Sequence, residues 1–374
     1  MYIPSDKTFL TFKAGKWRFS ASCDTAATEP LLARAEALHS AVAAMPLLPD
    51  WKAELYGAII RRSIHGTAAI EGNPMTQAEV DAELTSGAVS APPSRERREI
   101  ANLKALYAGL VTAAGPVSEE LVRSFHKTLT HGLEYEENTP GLYRNTAVRV
   151  GDKEHGGVYV PPKSLDDIRN LMREFFAWFS GKDFDGFAPL LKAACLHYHL
   201  VRIHPFRDGN GRTARFAEAH VLASSGMPLL APMLCSWYAG HVDGYYRAIS
   251  AAAARGDMTP FYVFFLTAAC EQLDALLGEM TPMLRAFILR GHVAGLFSGK
   301  RISRRQKALL DIMLDKGTAV DLLALYEDPA FAGHYRQVSK ATARRDLIKL
   351  ADMGLLVREG NVYAMNAGLT DLNR

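Results

Sequence analysis

The spacing of apolar residues predicts helices along most of the chain. Between Glu29 and Arg62, apolar side chains recur every three or four positions. This period places them on one face of a helix. Residues 1–28 lack the period and are expected to form short extended pieces. Thr85–Ser94, which reads TSGAVSAPPS, has the composition of a loop.

Further helical segments follow that loop. The first is RERREIANLKALYAGLV, and Ser118 and Ser164 are placed to cap VSEELVRSFHKTL and SLDDIRNLMREFFAWF. Another helix spans about Phe187 to Ile203, and helices continue to about Leu296. An all-α body is therefore predicted.

One segment has a period of two instead. Val148 and Val150 alternate before a glycine-containing loop, and Val158 and Val160 alternate after it. This pattern predicts a β-hairpin.

The pattern changes again after Gly299. A helix, a second helical piece around Asp321–Tyr326, a third helix capped by Ser339 or Thr342, and two β runs around EGN follow in order. This is the order of a winged helix-turn-helix. We therefore predict an N-terminal segment (1–95), a central domain (96–297) and a winged helix (298–374).

Composition indicates an ordinary globular protein, with 48% hydrophobic and 22% charged residues. Four cysteines without CxxC spacing are expected to be reduced thiols. The N-terminus has no apolar signal region, and no apolar run of about 18–20 residues is apparent. We expect a cytoplasmic protein without a membrane partner.

The positive charge is concentrated after Gly299. Residues 300–374 contain 13 Lys and Arg against 9 Asp and Glu, whereas the remainder has 30 against 31. Duplex DNA is one partner that this excess would suit; a protein-docking or homodimerising surface is the other interpretation. The third helix carries the residues concerned, with two acids that dilute its charge: Lys340, Arg344, Arg345, Lys349, Asp346 and Asp352.

The densest chemistry lies in HPFRDGNGRTAR, His204–Arg215. Gly209 and Gly211 allow a tight turn into a helix expected from Thr213, and a helix N-terminus presents unpaired N–H groups to an anion. Arg212 and Arg215 are three apart and lie near one helix face. Two fixed cations beside an amide nest suit an oligophosphate.

An acid and a base adjoin that nest. Asp208 precedes it directly and is placed to hold Mg²⁺ on the same phosphates. His204 is the group in this stretch that can accept a proton near neutral pH. Together they predict nucleotide-phosphate chemistry in which His204 deprotonates a hydroxyl.

Three other interpretations compete. GNGRTA also fits the dinucleotide pattern GxGxxA, but no βαβ unit surrounds it. His197 and His199 would point to different faces of their helix and are expected to be buried, hydrogen-bonded histidines rather than metal ligands. The third interpretation is a structural glycine loop with solvated arginines.

HPFRDGNGRTAR resembles the signature HxFx[DE]GNGRxxR of the Fic family at every defining position. The resemblance implies an all-α Fic-type bundle with a hairpin flap that transfers AMP from ATP to a Ser, Thr or Tyr hydroxyl of a protein. It also implies roles for the motif: His204 as the base, Asp208 as the Mg²⁺ ligand, Gly209, Asn210 and Gly211 as the phosphate nest, Arg212 at the β-phosphate and Arg215 at the γ-phosphate.

The resemblance extends beyond the motif. Phe206 would anchor the loop in the core. Gly156–Pro161 resembles the flap that aligns the target, which would bring Gly157, Val158 and Tyr159 to the nucleotide. In WYAGHVDGYY, His241 stands where the family often has asparagine. The resemblance therefore leaves open which nucleobase a pocket containing His241 and Tyr246 would bind.

TAAIEGN resembles the family's inhibitory motif [ST]xxxE[GN], with Thr67, Glu71 and Gly72 in the defining positions. Glu71 would pair with Arg215 and occupy γ-phosphate space. A helix that simply ends in Glu-Gly-Asn is the alternative. Two other functions stay open: a DNA-binding regulator that senses nucleotide, and a Fic-type enzyme that transfers another phosphate-containing group or removes AMP.

Overall fold

The structure is a computed structural model that describes residues 1–85, 94–133, 138–151 and 157–370. It divides into two compact units, Met1–Leu276 and Leu277–Arg374. The predicted loop Thr85–Ser94 falls almost entirely outside the described residues.

The first unit begins with a small antiparallel hairpin, β1 (Lys7–Leu10) and β2 (Lys16–Phe19), in which Lys7 lies opposite Phe19. Short 3-10 turns occur at Leu110–Thr112 and Lys182–Phe184. The other regular elements in the described part of this unit are the helices α1 (Thr25–Ala44), α2 (Pro49–Ile70), α3 (Gln77–Thr85), α4 (Arg95–Ala108), α5 (Glu119–Leu129), α6 (Leu165–Phe179), α7 (Pro189–Ile203), α8 (Asn210–Ser224), α9 (Leu230–Gly240), α10 (Val242–Arg255) and the first part of α11 (Thr259–Ser298).

Side-chain caps explain where several of these helices begin. The hydroxyls of Ser118 and Ser164 accept hydrogen bonds from the third residue of α5 and α6, as the sequence predicted. Helix α1 begins at Thr25, before the apolar period starts at Glu29, because the Asp24 carboxylate accepts from the Ala26 N–H and nucleates the helix earlier.

The centre of the first unit is the pair α7 and α8. Side chains are buried along most of both helices, including Leu191, Ala194 and Leu200 in α7 and Ala214 and Ala217 in α8. A helix that is enclosed on all sides belongs to the core rather than the surface. The loop that joins these two helices is therefore held by a rigid frame.

The predicted hairpin at Val148–Val160 is reduced to one bridge in the described residues. Val150 and Tyr159 exchange two backbone hydrogen bonds, of 2.9 and 2.8 Å. Val158 and Val160 are 50% and 44% exposed. The Tyr159 side chain, which lies between these two valines, is anchored by a hydrogen bond from its hydroxyl to the Arg202 carbonyl.

The second unit is a winged helix-turn-helix, as predicted. It contains the end of α11, a 3-10 turn at Ala367–Thr370, and a sheet of order β3-β5-β4 that the sequence analysis had given only two strands. Its elements are α12 (Arg304–Lys316), β3 (Val320–Asp321), α13 (Ala324–Glu327), α14 (Pro329–Tyr335), α15 (Lys340–Asp352), β4 (Leu356–Glu359) and β5 (Val362–Met365).

Helix α15 carries the basic face of this unit. Ser339 caps it, and Leu347 and Leu350 of the helix, together with Leu355 beyond its end, are buried in the core of this unit. Asp346 does not dilute the exposed charge, contrary to the sequence expectation, because it is buried and bonded to Arg305 and Gln306.

Helix α11 is relevant to the expectation that the chain has no apolar run long enough to span a membrane. It has 40 residues and is, by length and composition, the one helix in the described part of the chain that qualifies as a candidate membrane span. The sequence predicts no such segment because Glu271 and Asp274 interrupt the apolar run of this helix. Half of the relevant window is buried inside the protein, as in a core helix, so the evidence for a span is weak.

Candidate active site

The loop between α7 and α8 turns sharply at two residues with positive φ. His204, which ends α7, has φ 51°, and Gly209, which precedes α8, has φ 77°. The first residue of α8 is Asn210, not Thr213 as predicted. The reason is that the Thr213 N–H closes the first helical turn by donating to the Gly209 carbonyl (2.9 Å).

Asn210 and Phe206 hold the loop closed. The Asn210 side-chain oxygen accepts from the Phe206 N–H, and its amide donates to the Phe206 carbonyl, both at 2.9 Å. The Phe206 ring is buried and stacks on His126 with 3.7 Å between ring centroids. Phe206 thus anchors the loop as predicted, while Asn210 leaves only its backbone N–H for a ligand.

Two residues without a role in the sequence analysis also fix this loop. His126 receives the Gly141 N–H on Nδ1, so that its Nε2–H donates to the Asp208 carbonyl (2.9 Å). Arg144 is 2% exposed and donates to three carbonyls, among them that of His204 (2.8 Å). The sequence did not reveal these roles because the Asp208 and His204 carbonyls lie 82 and 60 positions further along the chain than His126 and Arg144.

The His204 ring is oriented for proton transfer. Its Nδ1 lies 3.2 Å from the Val201 carbonyl, which accepts from an N–H placed there and leaves the Nε2 lone pair available. Burial lowers the pKa of His204 to about 4, although the nearby carboxylates of Glu71 and Asp208 act in the opposite direction. The imidazole is therefore neutral at neutral pH.

The N-terminus of α8 faces the same space. It has no side-chain cap, and the first N–H groups of a helix lack partners within it. A Cβ added to Gly211 would collide with the Glu71 carboxylate. The side chain of Glu71 thus occupies the space directly above this helix end.

Glu71 is bound there by Arg215. An Arg215 guanidinium nitrogen lies 2.6 Å from Glu71 Oε1, and the same group donates to the hydroxyl (2.9 Å) and the carbonyl (3.2 Å) of Thr67. The Arg215 side chain is 1% exposed and that of Glu71 24%. Burial alone would raise the pKa of Glu71, but the Arg215 and Arg212 guanidiniums outweigh it and hold this pKa below its usual value.

The end of α2 presents Glu71 through an ordinary helix terminus. Gly72 has φ 85°, and the Asn73 N–H donates to the Ala68 carbonyl (3.1 Å), as in a Schellman motif. The alternative interpretation of Glu-Gly-Asn as a helix-ending turn is therefore also correct. The same turn directs the Glu71 carboxylate at Arg215.

Asp208 and Arg212 form a second group of charges beside the loop. The Arg212 guanidinium lies 3.3 Å from Asp208 and 3.2 Å from Glu99. Arg95 approaches the other oxygen of Asp208 at 3.4 Å. Glu99 also accepts from the Asn73 amide (3.0 Å), which connects the Glu71 turn to Arg212.

A cleft of about 330 Å³ lies beside these groups. His204, Gly211, Arg215, Glu71 and Tyr246 line it, as the sequence analysis would require of a nucleotide site. Arg149, Val150, Gly151, Val201 and Tyr245 complete the lining, and no sequence signal had been assigned to them.

Eight predicted nucleotide contacts are not among the residues that line the cleft. Four of them, Asp208, Gly209, Asn210 and Arg212, lie in the adjoining loop and the first turn of α8. Gly157, Val158 and Tyr159 are absent from the cleft lining, which takes Val150 from the other side of their bridge instead. His241 stacks on Trp237 with 3.9 Å between ring centroids and is also absent from the lining.

A buried network positions Tyr245 in the wall of the cleft. His197 Nε2 lies 2.7 Å from the Tyr245 hydroxyl, and its Nδ1 lies 2.5 Å from Glu218 on α8. His199 binds the Ser20 carbonyl (2.9 Å). Both histidines are buried and hydrogen-bonded, as expected.

Parts of the chain match known families. Residues 116–222 match the Fic/DOC family, and residues 332–367 match the DeoR-like helix-turn-helix domain. The chain is 32% identical over 224 residues to a protein adenylyltransferase Fic from Nematostella vectensis, covering 58% of this chain and 49% of the relative. A protein of the same name from Aedes aegypti is 32% identical over 219 residues, covering 57% and 41%. The chain thus spans about half the length of the curated relatives it matches.

Solved structures show the same fold. A Fic family protein from Desulfovibrio desulfuricans G20 superposes with a TM-score of 0.58 at 22% identity, covering 92% of this chain and 97% of that one. Fic-1 from C. elegans gives a TM-score of 0.55 at 22% identity, covering 68% and 72%. The all-α fold predicted from the sequence is confirmed.

Proposed function

Because residues 116–222 are a Fic/DOC family domain, we propose that this chain is a protein adenylyltransferase inhibited by its own Glu71. It would transfer AMP from ATP to a Ser, Thr or Tyr hydroxyl of a target protein. One observation carries the proposal: a neutral imidazole shares a cleft with the free N-terminus of α8 and the buried Arg215. The names of the curated relatives support the reaction class.

The chemistry follows from that arrangement. The target hydroxyl oxygen attacks the α-phosphorus of ATP, its proton passes to His204 Nε2, and the bond to the pyrophosphate group breaks. AMP becomes esterified to the target and pyrophosphate leaves. The N–H groups of α8, with Arg212 and Arg215, bind the β- and γ-phosphates and stabilise the charge on the leaving group.

Asp208 is the residue that fits a divalent cation. The described residues contain no group of three His, Cys, Asp or Glu side chains suited to a metal. Mg²⁺ is commonly held by one or two carboxylates together with substrate phosphates, so a single Asp208 carboxylate suits it. The ion would supply charge neutralisation at the phosphates. Arg95 and Arg212 now share the Asp208 carboxylate and would have to rearrange.

Inhibition would act through the space above Gly211. While the Glu71 carboxylate occupies the space above Gly211 and pairs with Arg215, the γ-phosphate of ATP could neither enter that space nor bind the Arg215 guanidinium. A nucleoside diphosphate would still fit. A charge-assisted pair is worth roughly 3 kcal/mol, which corresponds to about a hundredfold in rate. Use of Glu71 to remove AMP from a modified target is the alternative role.

The segment around Tyr159 would receive the target. Val150 and Tyr159 form a single backbone pair next to the cleft, and Val158 and Val160 are exposed beside it. An extended target segment added to this edge would bring its hydroxyl towards His204. Tyr245 and Tyr246, which line the cleft, would contact the base, whose identity stays open.

The transferred group is tested with ATP labelled at either the α- or the γ-phosphorus. We expect Glu71→Gly protein to label proteins of a lysate from α-labelled ATP, while the Glu71→Gly/His204→Ala variant does not. Mass spectrometry of the labelled peptides should show AMP esters. Labelling from γ-labelled ATP alone would instead identify a phosphotransferase.

DNA binding by the second unit is a further candidate function. The match of residues 332–367 to a DeoR-like helix-turn-helix domain supports it. So does the exposure of Lys340, Arg344 and Arg345 on α15, where the neighbouring Asp346 is buried and paired. A cytoplasmic location and a homodimeric state remain predictions.

A further inference from the structure

A second cavity in the first unit lies apart from the cleft. It has a volume of about 190 Å³ and is bounded by β2, the end of α7 and the turn between α10 and α11. It shares no lining residue with the cleft. None of its residues takes part in the adenylyl transfer proposed above.

Two N–H donors at this cavity lack acceptors. The indole Nε1 of Trp17 and the Nε of Arg202 are both buried and have no hydrogen-bond partner in the described structure. Both residues line the cavity. Buried donors are nearly always paired in folded proteins, so that an occupant with acceptor atoms is implied here.

The charged residues that line this cavity indicate which class of ligand it could bind. Arg18 is paired with Asp6, and Asp257 is paired with Arg255 (2.7 Å). Arg202 forms no ion pair with any described carboxylate. Its guanidinium lies instead over aromatic rings, at 4.5 Å from the ring centroid of Tyr159 and 5.9 Å from those of Trp17 and Tyr198.

Arg202 Nη1 donates to the Tyr198 hydroxyl (3.3 Å), but this neutral partner does not balance its charge. A cation without a described counterion, next to two unpaired N–H groups, favours an anion as the ligand. Lys16, on the exposed edge of β2, adds a second positive charge to the lining. A metal ion or a purely apolar ligand would satisfy neither the charge nor the donors.

The volume limits the size of that anion. A water molecule takes about 30 Å³ of liquid volume, so that the cavity equals roughly six waters. Drug-sized ligands and cofactors usually need about 300–1,000 Å³. We propose that this cavity binds a small oxyanion, a phosphate or a carboxylate, through the Arg202 guanidinium and the Trp17 indole N–H.

The proposed site is connected to the edge of the cleft. The Tyr159 hydroxyl donates to the Arg202 carbonyl (3.0 Å), and Tyr159 is paired with Val150, which lines the cleft. An anion held by Arg202 would therefore touch the residue that anchors this segment.

The indole N–H of Trp17 gives a direct measurement. The chain contains four tryptophans, so that protein labelled with ¹⁵N-tryptophan shows few indole signals, and the signal lost in Trp17→Phe belongs to Trp17. Inorganic phosphate and acetate are titrated separately at an ionic strength held constant with sodium chloride. We expect a saturable shift of the Trp17 signal, with a dissociation constant on the order of 1 mM, while the other indole signals stay in place. The tighter-binding probe identifies the class of anion.

Two variants and one control complete the test. Arg202→Gln should weaken binding at least about tenfold, and Lys16→Gln by roughly threefold, because each removes a charge facing the anion. Arg173→Gln removes an exposed guanidinium from α6 and should leave the titration unchanged. An unmoved Trp17 signal in the parent protein overturns the proposal, as does an equal shift with chloride. Unchanged affinity in folded Arg202→Gln protein overturns it as well.

Discussion

At the scale of single residues, some of the groups that form the site around His204 can be recognised from the sequence, and others only from the structure. His204, Asp208 and Arg215 stand within twelve positions, and their side chains suggest their chemistry directly. His126 and Arg144 act by binding backbone carbonyls, so that only the folded chain shows what they do. Spacing alone likewise did not reveal that Asn210 turns its side chain towards Phe206 rather than the nest.

The protonation state of His204 gives a prediction at this scale. The pKa of this imidazole is lowered from 6.5 to about 4 by burial, so that the neutral form persists far below neutral pH. NMR of the imidazole C–H signals in the free protein should show a titration midpoint near 4, with His204 assigned by the signal lost in His204→Ala. A midpoint near 6.5 would mean that the ring is solvated and that the site is built differently.

At the scale of elements, α2 holds Glu71 in place by packing closely on α9. A Cβ added to Gly66 would lie 2.8 Å from the Ser236 Cα and 2.9 Å from the Cys235 carbonyl oxygen. The helices were predictable from apolar spacing, and the starts of α5, α6 and α15 from Ser118, Ser164 and Ser339. The pairing of Val150 with Tyr159 follows the predicted hairpin, but the hydrogen bond from Tyr159 to the distant Arg202 carbonyl could not be predicted from alternation.

Two glycines of α2 give a matched pair of variants. Alanine improves a helix by up to about 1 kcal/mol, but overpacking a close contact costs roughly 1–3 kcal/mol. Gly66→Ala should therefore lower the free energy of unfolding. Gly57→Ala should raise it, since its nearest contact is the mobile end of Arg61 at 3.4 Å. Thermal unfolding, followed by circular dichroism, measures the stability of both variants. If the Gly66→Ala protein were as stable as the Gly57→Ala protein, α2 and α9 would not be tightly packed.

At the scale of the whole molecule, two compact units carry different chemistry. All residues of the cleft lie in the first unit, and the basic helix α15 lies in the second. The uneven distribution of charge indicated this division from the sequence. The unit boundary, within the continuous helix α11, was not predictable because the apolar period does not change there.

DNA binding by the second unit predicts a specific salt dependence. Each lysine or arginine that contacts a phosphate contributes about one unit to the slope of log affinity against log salt. Arg344→Ala and Arg345→Ala should each weaken binding to mixed-sequence duplex and reduce that slope by about one, measured by fluorescence polarisation. Lys307→Gln, which removes a charge from α12, is the control. Affinity that does not change with salt would favour a protein partner for this unit.

The most direct test of the account compares AMP transfer by the parent protein and Glu71→Gly under identical conditions, with Glu71→Gln as a third sample. Removal of the carboxylate frees Arg215 and the space above Gly211, so that Glu71→Gly should be at least about tenfold faster than the parent. Glu71→Gln, which keeps the bulk but not the charge, should fall between the two. Equal rates in the parent and Glu71→Gly would contradict the claim that Glu71 blocks the nucleotide site.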